Sequence, residues 1–131
     1  GEAAAKELGA KRYIKLPVAG AFHSKFMQGA ADGMAGAMDG FKMKDTAVPV
    51  ISNVTAEAVT SAEEIKKLLV RQIVSPVRWI ESVEYMKGQG VDTFIECGPG
   101  AVLSGLIKKI DKTLKVINIE KPEDMAKLQE I

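Results

Sequence analysis

The stretch VDTFIECGPGAVLSGLIKKIDKTLKVIN, residues 91–118, decides the fold. Residues 91–96 are rich in β-branched and aromatic side chains and read as a strand, which runs into the turn Gly98-Pro99-Gly100. Val102, Leu103, Leu106, Ile107 and Ile110 then recur at three- and four-residue spacing, the inward stripe of a helix, and residues 114–118 read as a second strand. Strands alternating with helices imply a parallel, three-layer α/β sheet. The Gly-Pro-Gly turn opens a helix and so offers backbone amides to an anion. It lacks the third glycine of a dinucleotide fingerprint, and Pro99 has no amide to donate, so a tight structural turn is the simpler use.

Upstream of this unit the same alternation continues. Residues 2–8 favour helix, with Gly9 placed for a left-handed cap, and residues 12–16 form a short strand candidate closed by Pro17. A loop follows, carrying His23. Ser24 is a candidate N-cap for a helix whose apolar face is Met27, Ala30, Ala31, Met34, Met38 and Phe41. Gly29, Gly33 and Gly36 weaken that helix by up to about 1 kcal/mol each, and small residues there permit close approach of a neighbour. Residues 48–51 read as a strand ending in Ser52-Asn53, at the end where open α/β sheets place ligands. Thr60-Ser-Ala-Glu63 matches a capping box, predicting a helix to about Val74 with Ile65, Leu68, Leu69, Gln72 and Ile73 inward. A buried Gln72 amide requires a partner, since leaving it unpaired costs about 1–3 kcal/mol. A further helix, residues 77–87, turns Trp79, Ile80, Val83 and Met86 inward, and a short helix starts near Pro122.

Composition narrows the function class. At 131 residues the chain suits one domain with one core. Eighteen Lys and Arg against 17 Asp and Glu give a formal charge of +1, mostly interleaved, which attracts a phosphate backbone little, so nucleic acid is not an expected partner. One Cys and one His supply neither an internal disulfide nor a structural zinc site, which predicts a metal-free intracellular protein. No apolar run approaches the roughly 18 residues of a membrane span and no signal-like segment opens the chain, so a cytoplasmic location away from the membrane is expected.

His23, the sole histidine, follows a strand candidate within the loop Gly20-Ala-Phe-His-Ser24. Two readings are open from the residues alone. One is a structural imidazole; the other is a base that titrates near neutral pH and passes one proton back and forth. A base needs a nucleophile. Ser24, Ser52, Ser61, Ser75, Ser82 and Ser104 all lack the glycine pair of a nucleophile elbow. Cys97 precedes a tight turn, where a small buried side chain and the nucleophile of an independent hydrolase are the competing readings. Gln72 likewise reads either as a tie to a loop carbonyl or as a functional group.

Five stretches resemble, in the same order, the malonyl-CoA:acyl carrier protein transacylases: LPVAGAFHS (16–24), VPVISNV (48–54), LVRQI (69–73), SPVRW (75–79) with SVEYM (82–86), and ECGPGAVLSGL (96–106). They run through nearly the whole chain but resemble only the C-terminal part of that enzyme, so the chain reads as a fragment. The resemblance implies an α/β-hydrolase-like large subdomain over residues 17–131, with residues 1–16 as the last helix and strand of a ferredoxin-like small subdomain.

It also implies a function. The family forms a malonyl ester on a serine and passes it from CoA to the phosphopantetheine thiol of acyl carrier protein, in fatty-acid or related polyketide elongation. By its Gly-Ala-Phe-His context His23 matches the family's general base and acid. Gln72 matches the residue whose backbone carbonyl orients that imidazole, and Phe22 the bulky neighbour associated with malonyl over methylmalonyl selection. Asn53, at its strand end, is a further substrate-binding candidate. Malonyl-CoA is then the substrate and no covalently bound cofactor is implied. The family's nucleophilic serine, its malonate-binding Arg and its oxyanion-hole Gln all match positions upstream of Gly1. Isolated from them, the chain is expected to be inactive, with the missing N-terminal portion and acyl carrier protein as partners. The alternative is a non-catalytic module binding carrier protein or CoA, for which Lys108, Lys109, Lys112 and Lys115 form the most basic stretch; a solvated helix end is the plainer reading of those lysines.

Overall fold

The expected strand–helix–strand unit is present as β3 (Thr93–Cys97), α5 (Val102–Ile110) and β4 (Lys115–Ile119), with the strands parallel and Thr93 opposite Lys115. The structure, a computed structural model, describes residues 1–15 and 17–130. Side chains alternate across a strand. Phe94 and its cross-strand partner Val116 pack beneath α4 (Trp79–Gly88) and α5, around the buried Val83, Ile107 and Leu114. On the opposite face Ile117 is buried, whereas its partner Ile95 is 46% exposed. A final 3-10 segment, Pro122–Glu130, packs along β4.

The apolar stripe of α5 is narrower than its sequence predicts. Ile107 is buried and Ile110 half-buried, but Val102, Leu103 and Leu106 are exposed. Ile80 of α4 is exposed as well, although Val83, Trp79 and Met86 of that helix reach the core. Both helices pack on a sheet only two strands wide, which cannot cover a full apolar face of each.

The single parallel sheet does not extend upstream. β1 (Val50–Ile51) pairs antiparallel with β2 (Ala58–Val59), Val50 opposite Val59, and forms its own two-stranded sheet. Pro49 lacks a ladder donor, and a tight turn closes the hairpin through Ser52 N–H to Glu57 carbonyl (3.1 Å) and Ala56 N–H to Ser52 carbonyl (2.8 Å). Nor do residues 12–15 form the predicted strand; Leu16, its last residue, lies outside the described residues. Extended backbone needs a neighbouring strand to satisfy its amides and carbonyls, and none lies beside it among the described residues.

Of the apolar face read for the helix after His23, Ala31 is buried and Met27, Met34 and Met38 are half-buried, whereas Ala30 and Phe41 are exposed. α1 (Glu2–Glu7) ends as expected at Gly9, whose φ of +85° suits glycine, with Ala10 N–H donating to Ala5 carbonyl and Gly9 N–H to Lys6 carbonyl. Ser24 does act as an N-cap: its hydroxyl accepts from Phe26 N–H at the head of a 3-10 turn, Lys25–Met27, leading into α2 (Gln28–Asp39). α2 packs on α3 (Ala62–Gln72), where Ile65 and Leu68 are buried. The capping box is not used. Ser61 rather than Thr60 precedes α3, and the carboxylate of Asp45 accepts from Ala62 N–H (2.8 Å).

Gly29, Gly33 and Gly36 do not admit a close neighbour, because a Cβ at any of them meets nothing within 4 Å. In this chain Gly33→Ala therefore raises unfolding free energy by about 0.5–1 kcal/mol, through helix propensity alone. Urea unfolding checks it: an unchanged or lower midpoint would mean that something does pack there.

Candidate active site

Three residues far apart in sequence meet at the C-terminal end of α3. His23 Nδ1 donates to the backbone carbonyl of Gln72 at 2.9 Å, and Asn53 Nδ2 donates to Gln72 Oε1 at 3.1 Å. A carbonyl can only accept, so Nδ1 carries the proton, leaving Nε2 of the neutral imidazole with a free lone pair. That is the tautomer a base needs. The last carbonyls of a helix have no intrahelical partner, which is why Gln72 has a carbonyl to offer.

The loop presents His23 in a left-handed conformation, φ +59°, that is uncommon for a residue with a side chain. Ser24 steadies it, its hydroxyl donating to Ala21 carbonyl (2.7 Å) while accepting from Phe26 N–H. Backbone held in a sparsely populated region beside a titratable side chain is a recurrent property of functional sites. Phe22, next to His23, is 61% exposed, its ring free of the core.

Around Asn53 the hairpin turn is tied to the segment after α3. Arg78 N–H donates to Asn53 carbonyl (2.9 Å), and Arg78 Nη1 donates to Thr55 carbonyl (2.8 Å). The side chains of Ser52 and Val54, flanking Asn53, are buried. Sequence reasoning missed Arg78 as a structural tie; its place in SPVRW, two residues after the Pro that follows α3, was the available signal. Gln72 is half-buried rather than fully inward, and the internal partner its amide required is Asn53. A cleft of about 170 Å³ opens beside the pair, lined among others by Ile51, Ile65, Leu68 and Leu69. Small-molecule sites commonly measure about 300–1,000 Å³, so this cleft alone does not enclose a CoA thioester.

The Gly98–Gly100 turn serves structure. Gly98 and Gly100 take φ of +138° and +80°, and the α5 N-terminus is already occupied by Glu96, whose carboxylate accepts from Leu103 N–H (3.0 Å) and Ser104 N–H (2.8 Å). The Ser104 hydroxyl first, then the Ser104 and Leu103 amides and the Asn118 side chain, hold the Glu96 carboxyl below its usual range. With its own carboxylate seated on the Leu103 and Ser104 amides, and Gly98 N–H donating to Ile119 carbonyl (3.0 Å), these three amides are not open to an external anion. Cys97 is exposed, not the small buried side chain expected, because its face of β3 is uncovered; no hydrogen bond links it to His23 among the described residues. Lys108 is exposed and donates to the Lys112 and Leu114 carbonyls at 3.2 and 2.6 Å, which fixes its ammonium over the turn after α5. Among the described residues no three His, Cys, Asp or Glu side chains are grouped to hold a metal ion, and no helix is long and apolar enough to cross a membrane.

No protein-family model matches the chain. A curated protein from Bacillus subtilis (strain 168), named malonyl CoA-acyl carrier protein transacylase, is 50% identical over 119 residues, 91% of this chain and 38% of the relative. The chain matches part of a malonyl CoA-acyl carrier protein transacylase. Among solved structures, the acyl-carrier-protein S-malonyltransferase of Burkholderia pseudomallei 1710b superposes with a TM-score of 0.90 at 38% identity, covering 98% of this chain and 42% of that one. A malonyl-transacylase solved in complex with its type II PKS acyl-carrier protein superposes with a TM-score of 0.89 at 38% identity, again over 98% of this chain and 42% of that one. The match is to the C-terminal part of these transacylases, and the chain spans about 40% of their length. Its fold is accordingly that of the corresponding part of an α/β acyltransferase.

Proposed function

We propose that this chain is the histidine-bearing, C-terminal portion of a malonyl-CoA:acyl carrier protein transacylase, moving malonyl from CoA to the phosphopantetheine thiol of acyl carrier protein in fatty-acid biosynthesis. The observation that carries the reading is the 2.9 Å bond from His23 Nδ1 to the Gln72 carbonyl, which frees Nε2 as a base. Nε2 takes the proton of a serine hydroxyl as the serine oxygen attacks the malonyl thioester. Collapse of the tetrahedral adduct breaks the C–S bond, and the departing CoA sulfur receives that proton from the imidazolium. In the second half, Nε2 deprotonates the incoming phosphopantetheine thiol, its sulfur attacks the serine ester, and the proton returns to the serine oxygen. One group thus serves as base and acid in each half, as covalent catalysis of this kind requires. Phe22 limits bulk beside the substrate's alpha carbon. Malonyl-CoA and the carrier protein's phosphopantetheine are the two substrates, with no covalently bound cofactor, in the cytoplasm.

The serine, in this reading, comes from residues outside this sequence. Two observations support it. The relatives are more than twice as long as the region matched. The strands of a parallel sheet are normally covered on both faces and flanked by others, yet among the described residues β3 has only β4 beside it and leaves Ile95 and Cys97 open. Residues 1–16 belong, by the same resemblance, to a ferredoxin-like small subdomain and residues 17–131 to the large one.

Transfer of labelled malonyl from CoA to holo carrier protein tests the proposal. The protein that includes the upstream, serine-bearing residues is expected to catalyse it, and the 131-residue chain alone is not. Transfer by the chain alone would refute the need for an outside serine; no transfer by the longer protein would refute the transacylase reading itself.

A further inference from the structure

Resting on the assignment of His23 as the base, we propose that Asn53 is a positioning residue, which aims the Gln72 carbonyl at His23 through the Gln72 side chain rather than touching substrate. Gln72 is the last residue of α3, where helices fray. The backbone bonds beyond it are long: Ile73 N–H to Val70 carbonyl 3.3 Å, Val74 to Arg71 3.2 Å, and Ser75 to Gln72 itself 3.3 Å. Such bonds are weaker than those at the usual 2.9–3.0 Å. The direction of the Gln72 carbonyl therefore needs a second restraint, and the side chain of the same residue supplies it by anchoring Oε1 on Asn53 Nδ2.

Asn53 is itself well fixed. Its neighbours Ser52 and Val54 are buried, the Ser52 hydroxyl accepts from Val54 N–H (3.1 Å), and its own carbonyl takes the Arg78 amide. One residue thereby grips α3 from its side chain and the segment after α3 from its backbone, clamping the helix end on both sides of the carbonyl that His23 reads. One of the two Nδ2 protons of Asn53 is committed to Gln72, which ties the orientation of its amide to the helix end.

The test uses the full-length protein containing these residues, labelled with ¹⁵N-histidine, with His23→Gln identifying the His23 signal. In the neutral imidazole, ¹⁵N shifts report which nitrogen bears the proton. Wild type is expected to show the Nδ1–H form. Asn53→Ala and Gln72→Leu, which both break the side-chain link while keeping the backbone carbonyl, are each expected to mix the tautomers and lower kcat by about 10-fold with KM unchanged. The double variant is expected to be no worse than either single, and Gln72→Glu, which still accepts from Asn53, to retain the wild-type signature. If Asn53→Ala does not fold, Gln72→Leu decides. Folded variants with a wild-type tautomer and kcat overturn the proposal, as does a rise in KM for Asn53→Ala alone, the mark of a substrate contact. An Nε2–H signal in wild type, or full activity of His23→Gln, overturns instead the assignment of His23 as base.

Discussion

In the longer protein, under the proposed transacylase mechanism, His23→Ala should lower kcat/KM for malonyl transfer by about 10²–10⁴, the usual contribution of a positioned general base. That corresponds to about 2.7–5.4 kcal/mol of lost transition-state stabilisation. Both half-reactions should suffer if, as proposed, the same Nε2 removes a proton from the serine in one and from the incoming thiol in the other. Rapid mixing with labelled malonyl-CoA, followed by intact-mass detection of the malonyl-enzyme, separates them. The variant should form the acyl-enzyme slowly and, once loaded, discharge it slowly to carrier protein. Stability should change little, since the His23 side chain is exposed and makes one hydrogen bond. A variant that loads at the wild-type rate would remove His23 from the serine step even if discharge were slow. Restoration of loading by added imidazole would strengthen the assignment, because only the missing base would then have been replaced.

The site was more legible than the sheet. Motif context and a capping serine placed His23 on a loop, the spacing of Ile65, Leu68 and Gln72 turned Gln72 toward the protein, and its strand-end position marked Asn53, so all three residues that meet could be named before their geometry was known. What spacing could not supply was the pairing of Asn53 with Gln72, since a contact between a hairpin turn and a helix end has no local periodic signature. The capping of α5 by Glu96 was hidden for the same reason: the donor amides lie seven and eight residues ahead, across a turn. The strand pattern at residues 12–16 shows the reverse failure, whereas the one at 48–51 does yield a strand, Val50–Ile51, paired outside the parallel sheet. Local β propensity records what fits a pleated surface, but a strand exists only beside a partner. One of these segments pairs with a neighbouring hairpin arm and the other, over residues 12–15, has no partner strand among the described residues. Apolar residues of α5 mislead similarly, because a stripe in sequence does not say whether the surface that covers it lies in the same chain.

That distinction makes α5 the place to probe the core. Ile107→Ala should destabilise the chain by about 2–5 kcal/mol, whereas Val102→Ala, in the same helix, should change stability by no more than about 0.5 kcal/mol. Ile107 is 3% exposed among Val83 and Leu114, with Phe94 and Val116 of the sheet around them; Val102 is 72% exposed. Truncation at Ile107 removes buried methyl and methylene groups and leaves a void that the parallel strand pair cannot close, since its register is fixed from Thr93–Lys115 to Cys97–Ile119. Truncation at Val102 removes atoms already largely in water and introduces a better helix former. Ile107→Val should fall between them, at about 0.5–1.5 kcal/mol. Urea unfolding followed by tryptophan fluorescence reads the series, because the sole Trp79 packs against the same cluster. The midpoint should fall in the order Val102→Ala, Ile107→Val, Ile107→Ala at a constant slope. Equal effects at positions 107 and 102 would mean that α5 does not pack on β3 and β4 through Ile107. A large loss at 102 in the longer protein but not in this chain would show directly that upstream residues cover the face this chain leaves open.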